Sequence, residues 1–158
     1  MDHAIKSPIG VVFLRCDGRA ITDVRIAAGA KLPRRGAKPT PLLAEAAAQL
    51  RAYFAGTLTR FDLPLAPEGS AFNKKAWAAI ARIPYGETRS YGDVAFDLGS
   101  GPRAVGGACG RNPIPLFIPC HRVLGAHGAL GGYSGGKGLV TKKFLLKLEG
   151  AWPALSAA

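Results

Sequence analysis

The stretch that decides the fold is Ser90-Tyr-Gly-Asp-Val-Ala-Phe-Asp-Leu-Gly-Ser-Gly-Pro-Arg-Ala-Val-Gly-Gly-Ala-Cys-Gly-Arg111. Ser90 supplies an N-cap hydroxyl for a helix over 91–98. Gly99-Ser100-Gly101 then breaks the chain. Pro102 falls at the first position of the next helix, where a missing N–H costs nothing. Helix, three-residue glycine-containing turn, helix is the helix-turn-helix pattern. The second helix, about 102–111, is unusual, because Gly106 and Gly107 each cost about 1 kcal/mol relative to alanine. Two explanations stand side by side. Small residues suit close packing on another element, and they also let a helix backbone approach a ligand such as the minor groove of DNA, with Arg103 and Arg111 reaching out.

Upstream, residues 9–15 and 20–27 read as two strands around Cys16-Asp17-Gly18-Arg19, whose Asp-Gly step is a hairpin signal. Residues 30–40, rich in Lys, Arg, Pro and Gly, read as a loop. Residues 41–54 have helical spacing (Leu42, Leu43, Ala46, Leu50, Tyr53, Phe54) and are closed by Gly56. Residues 61–69 lack a helical period and read as a linker. Ser70 caps a helix carrying Phe72, Trp77 and Ile80, and Ile83-Pro84-Tyr85-Gly86 is a turn. Downstream, seven glycines between 125 and 138 surround Tyr133-Ser134. They suit a mobile surface loop, or an ordered loop that packs on something flat. A final amphipathic helix spans about 139–148 and ends at Glu149-Gly150. The pattern predicts an α/β protein in two parts: an N-terminal domain over 1–65 and a mainly helical domain over 70–158.

The segment Ile118-Pro119-Cys120-His121-Arg122-Val123 sets a cysteine beside a histidine and near an arginine, between apolar flanks. Thiolate is the nucleophilic form of cysteine, and a nearby imidazole or cation is the usual way to make it at neutral pH. The apolar flanks predict a sequestered nucleophile. The other cysteines are Cys16 and Cys109. An odd count argues against a disulfide framework, no C-x-x-C occurs, and His3, His121 and His127 form no metal spacing. No run is long enough to span a bilayer, and a soluble intracellular chain is expected. The 21 Lys and Arg against 10 Asp and Glu give +11 at pH 7. That balance favours an anionic partner, nucleic acid first and an acidic membrane surface second, with compositional bias as the alternative.

Taken together, Ile83-Pro-Tyr-Gly-Glu-Thr-Arg-Ser-Tyr91-Gly-Asp, Arg103-Ala-Val-Gly-Gly-Ala108, Asn112-Pro113, Ile118-Pro-Cys-His-Arg-Val123, Gly132-Tyr-Ser-Gly-Gly136 and Leu148-Glu-Gly150 resemble the O6-alkylguanine-DNA alkyltransferases. These are the methylated-DNA–protein-cysteine methyltransferases. The match covers about 70–150 in order, and the first 65 residues match loosely. The resemblance implies a ribonuclease-H-like N-terminal sheet with a helix. It implies that Cys120 accepts the alkyl group, that His121 and Glu149 form its activating relay, and that Asn112 fixes the active-site turn. Tyr91 and Ser134 would contact the guanine, Tyr133 would wall its pocket, and the Val123 backbone would accept from the guanine amino group. Arg103 would fill the space of the flipped base, with Ala104, Gly106, Gly107 and Arg111 on the same DNA-facing helix. The implied partner is double-stranded DNA carrying O6-alkylguanine, with O4-alkylthymine as a second lesion. A cytoplasmic monomer without cofactor, metal or membrane attachment is implied as well. The cysteine–histidine zinc set of some family members is missing, and Cys16 and His3 do not replace it.

Cys120 and His121 are neighbours, and neighbours on extended backbone point to opposite faces, so a bridging water is expected between them. Two other functions use the same residues. A DNA-binding regulator would need the helix-turn-helix without the chemistry, and the presence of Cys120 argues against it. A cysteine hydrolase would use Cys120, His121 and Glu149, and would turn over.

Overall fold

The computed structural model describes residues 2–34, 36 and 38–153. Its N-terminal half is a three-stranded antiparallel sheet in the order β1 (Asp2–Ser7), β2 (Gly10–Cys16), β3 (Ile21–Ala27). The hairpin at Asp17-Gly18 forms as its sequence predicts, with the Asp17 carboxylate accepting from the amides of Arg19 and Ala20. The edge strand β1 was not legible. It runs Asp-His-Ala-Ile-Lys-Ser, and Ile5, opposite Val12, is its large apolar contribution to the core. A polar, short edge strand carries little β signal and also resists pairing with other chains. On β2 and β3 the residues Val12, Leu14, Ile21, Val24 and Ile26 turn inward. Helix α1 (Pro41–Phe54) covers them with Leu43, Ala46, Ala47, Leu50 and Tyr53, and Thr40 Oγ1 caps it by accepting from Leu43 N.

The expected linker is more than a spacer. Ile21 N donates to Pro64 O, and Ala66 N donates to Ile21 O, so residues 64–66 extend the sheet beside β3. Phe61 wedges between Tyr53 and Phe117, with ring centroids 5.2 and 4.7 Å away. Isolated prolines and glycines hide such anchoring, because it depends on long-range partners.

The C-terminal half has α2 (Ala71–Ala81), β4 (Arg89–Ser90), α3 (Tyr91–Asp97), α4 (Pro102–Gly110), β5 (Val123–Leu124) and α5 (Leu139–Leu148). Ser70 and Ser90 cap α2 and α3 as predicted. At Ser90 the cap is reciprocal, since Asp93 Oδ2 accepts from Ser90 N while Ser90 Oγ accepts from Asp93 N. Helices α3 and α4 form the helix-turn-helix. Buried Trp77 donates from Nε1 to Ala108 O at 2.8 Å and ties α4 to α2. The two-residue parallel ladder of β4 with β5 links the start of α3 to the chain after Cys120. One continuous cluster of buried residues runs from Ile5 and Val12 through Tyr53 and Trp77 to Cys120 and Leu145, so both halves share a core.

Candidate active site

The chain enters the site through Leu116, a buried residue at φ 76°, a region that costs a side-chain-bearing residue roughly 1–2 kcal/mol. Residues Cys120–Arg122 then form a single 3-10 turn, and all three side chains are buried. The extended backbone expected here is absent, and the opposite-faces argument fails with it. The two side chains nevertheless have separate partners. Asn112 Nδ2 donates to Cys120 Sγ at 3.0 Å and to Ile118 O at 2.9 Å, while Asn112 Oδ1 accepts from Ile114 N. One amide thus holds both the turn and the sulfur. His121 Nε2 lies 2.7 Å from Glu149 Oε2, and its Nδ1 is buried with no protein partner.

Glu149 is the hub of the buried polar network. Its carboxylate accepts from His121, from Arg122 Nε and Nη2 at 2.8 and 3.0 Å, and from Tyr53 Oη at 2.6 Å. Burial opposes its charge, but His121 and Arg122 outweigh burial and pull its pKa down to about 2. Burial pushes His121 below the usual imidazole range, against the pull of Glu149, so the ring is neutral at pH 7. A carboxylate fixes the proton on Nε2, which leaves Nδ1 as a base.

A cavity of about 350 Å³ opens over the sulfur, lined by Tyr91, Gly106, Cys109, Cys120, Tyr133 and Ser134 among others. The structure therefore brings together Cys120, Tyr91, Tyr133 and Ser134, with Asn112 at the turn and the His121–Glu149 pair beneath. The glycine-rich loop is ordered by close approach. Gly131, at φ 71°, packs so near Tyr91 that a Cβ would stand 2.8 Å from the ring. A Cβ on Gly135 would meet Tyr133 at 2.9 Å and Ile26 of β3 at 3.0 Å. Burial, followed by the neighbouring Cys109, raises the Tyr91 pKa and keeps its hydroxyl protonated. The Val123 carbonyl is already engaged by Lys142 Nζ at 2.7 Å, and that ammonium also donates to Gly132 O and sits 3.5 Å from Tyr91 Oη.

On α4 the two explanations for the glycines separate. A Cβ on Gly106 would meet nothing within 4 Å, and one on Gly107 would meet only Arg111 Nη1 at 3.0 Å. Neither glycine is needed for packing inside the protein. Arg103 and Ala104 are exposed, and Arg111 folds back so that Nη1 donates to Gly107 O. A larger cleft of about 730 Å³ lies between the linker and the 81–85 turn; it reaches Pro119 and Arg122 but neither Cys109 nor Cys120. It carries none of the nucleophilic groups.

Three participants were missed by sequence reasoning, Tyr53, Cys109 and Lys142, and Arg122, read as a cation beside the thiol, turns instead to Glu149. Lys142 had a signal, since Lys142, Leu145, Leu146 and Glu149 share one helical face and all are buried. Burial and the two cysteines set its pKa, burial pushing it down to about 8. Arg122 also had one, as an arginine in an apolar segment needs a buried acceptor. Tyr53 had none beyond its place in the α1 period. Among the described residues no cluster of three or more His, Cys, Asp or Glu could hold a metal ion, and no helix is long and apolar enough to cross a membrane.

Comparison with known proteins agrees with this geometry. Residues 71–151 match the DNA binding domain of 6-O-methylguanine DNA methyltransferase, and residues 2–67 match its ribonuclease-like domain. A methylated-DNA–protein-cysteine methyltransferase of Methanosarcina acetivorans is 48% identical over 157 residues, spanning 96% of this chain and 99% of the relative. The Mycobacterium tuberculosis O6-methylguanine methyltransferase structure superposes with a TM-score of 0.80 at 45% identity, covering 98% and 97% of the two chains. A structure of the OGT of that organism in complex with DNA gives 0.80 at 46% identity, with 94% and 91% covered. The chain belongs to the methylated-DNA–protein-cysteine methyltransferase family.

Proposed function

We propose that this protein repairs duplex DNA by moving the alkyl group of O6-alkylguanine, and of O4-alkylthymine, onto Cys120, each molecule acting once. The observation that carries the reading is the Cys120 sulfur beneath a base-sized cavity, held by the Asn112 amide beside a neutral His121 braced by Glu149. A water between Cys120 Sγ and His121 Nδ1 would pass the thiol proton to the ring, and Glu149 would stabilise the imidazolium. The thiolate attacks the alkyl carbon. An S–C bond forms, the C–O bond breaks, and the electron pair leaves on guanine. Tyr91 Oη and Ser134 Oγ would donate to the base as that charge develops, and Tyr133 would wall it in. A thioether has no electrophilic carbonyl, so water cannot release it. The step balances without a cofactor.

The damaged nucleotide has to leave the stack, at a cost of a few kcal/mol. The open face of Gly106 and Gly107 would let α4 lie against the minor groove, with Ala104 on that face and Arg111 near phosphate. Arg103 would occupy the gap left by the extruded base. The division at 1–65 and 70–158 assigns all base and DNA contacts to the second part, and the reading takes the protein as a cytoplasmic monomer. The test is intact mass after incubation with duplex DNA containing O6-methylguanine. One methyl group per protein on the peptide with Cys120, and no further reaction with excess DNA, is expected. Continued turnover without a protein adduct overturns the reading.

A further inference from the structure

The pocket holds a second thiol that the alkyl-transfer reading leaves unused. Cys109 is on the last turn of α4 and lines the same cavity of about 350 Å³ as Cys120. Three residues further on, the Asn112 amide binds Cys120 Sγ at 3.0 Å, so the end of α4 is fastened to the sulfur it faces. Facing one cavity, the two thiols act on each other's ionisation. The neighbouring Cys120 lowers Cys109 and the neighbouring Cys109 raises Cys120, with burial adding to the rise, and the pair carries one thiolate far more readily than two. Cys16, by contrast, is in β2, 3.9 Å from Thr40 Oγ1, and does not line the cavity.

We propose that Cys109 is a resolving thiol for Cys120, and that a hydroperoxide converts the pair into an intramolecular disulfide that a dithiol can reopen. In the first step Cys120, its proton passed through water to His121 Nδ1 as in alkyl transfer, attacks a peroxide oxygen as the thiolate. An S–O bond forms, the O–O bond breaks, and hydroxide leaves and takes a proton to become water. In the second step the Cys109 sulfur displaces hydroxide from the sulfenic sulfur. The S–S bond forms, the S–O bond breaks, and a second water departs with the Cys109 proton. The sulfurs together lose two electrons and the peroxide gains them. The consequence is protective, because a sulfenic acid without a thiol partner proceeds to sulfinic acid, which is not recovered. An acceptor that works once would be lost before use.

The experiment treats the full, reduced chain with a small molar excess of hydrogen peroxide and reads mass, free thiols and alkyl transfer. In the wild type, the mass falls by two hydrogens and the three free thiols fall to one. Trypsin cuts after Arg111 and leaves peptides 104–111 and 112–122 joined. Transfer is lost and returns with dithiothreitol. Cys109→Ser forms no bridge, gains two oxygens on Cys120 as the sulfinic acid, and does not regain transfer relative to its own untreated level. Cys16→Ser behaves as the wild type. A wild-type chain that gains oxygen without forming the bridge, a bridge between two molecules, or full recovery in Cys109→Ser would each overturn the proposal. Mass and thiol count need no alkylated DNA, so they stand apart from the repair reading. They also need no variant, which covers the case of a Cys109→Ser chain that folds poorly.

Discussion

Tyr53 Oη donates to Glu149 Oε2 at 2.6 Å, and this bond joins α1 of the N-terminal half to the residue that ends α5. The N-terminal half therefore reaches the relay under Cys120 directly. Tyr53 is 1% exposed and has little room to relax. Hydrogen bonds to charged acceptors contribute roughly 1.5–3 kcal/mol. Tyr53→Phe is expected to lower unfolding free energy by about that much and to slow alkyl transfer, because Glu149 loses one of the donors that orient it. Urea unfolding and single-turnover kinetics check both. An unchanged rate would show that Arg122 and His121 alone fix the carboxylate.

Cys120→Ser is expected to abolish transfer and to leave duplex binding largely intact, since the turn keeps its Asn112 bond to Ile118 O. Cys16→Ser is expected to retain transfer. Its sulfur packs in the sheet core and touches Thr40, not the pocket. Alkyl incorporation measured by intact mass decides this, and adducts on Cys120→Ser protein would displace Cys120 as acceptor.

Much of the C-terminal half was readable because its signals are local. Ser70, Ser90 and Pro102 mark helix starts by capping chemistry, and each helix begins where they place it. The α1 span was readable from apolar period and Gly56. What stayed hidden depends on distant partners. Strand β1 pairs through its backbone, residues 64–66 borrow hydrogen bonds from Ile21, and Tyr53 meets Glu149 across 96 residues of chain. The turn at Cys120 was misread as extended because the positive φ of Leu116 and the bonds from Asn112 bend it. Neither leaves a trace in local propensity.

Arg103→Ala is expected to slow repair of duplex DNA more than reaction with free O6-benzylguanine. Arg103 is exposed on the first turn of α4, away from the cavity walls, and only the duplex has a gap to fill. The comparison of the two second-order rates is the measurement. Equal losses on both would place Arg103 in the support of the pocket instead.

The buried relay should also show itself in the acid limb of stability. Glu149 is held at about 2 against an ordinary value of 4.5, so its contribution is fully present above pH 4.5 and is lost as pH falls through 2. At 1.36 kcal/mol per unit that amounts to roughly 3 kcal/mol. His121 works in the same direction at higher pH. Burial lowers its pKa from 6.5, the unfolded chain takes the proton first, and stability falls from about pH 6.5 downward. Lys142 acts at the other end. Burial brings it from 10.5 to about 8, the unfolded chain binds the extra proton between those values, and its term makes stability rise with pH across that window. Urea unfolding from pH 2 to pH 10, for the wild type and Glu149→Gln, separates these terms. The amide cannot titrate, so the difference between the two curves should change between pH 4.5 and 2 and stay level from pH 8 to 10. The variant is expected to be less stable at neutral pH, since Arg122 then keeps a buried charge without its carboxylate. A difference that stays level through the acid limb would show that Glu149 is no better stabilised as a carboxylate in the fold than in the unfolded chain, and the relay drawn from its four donors would fail.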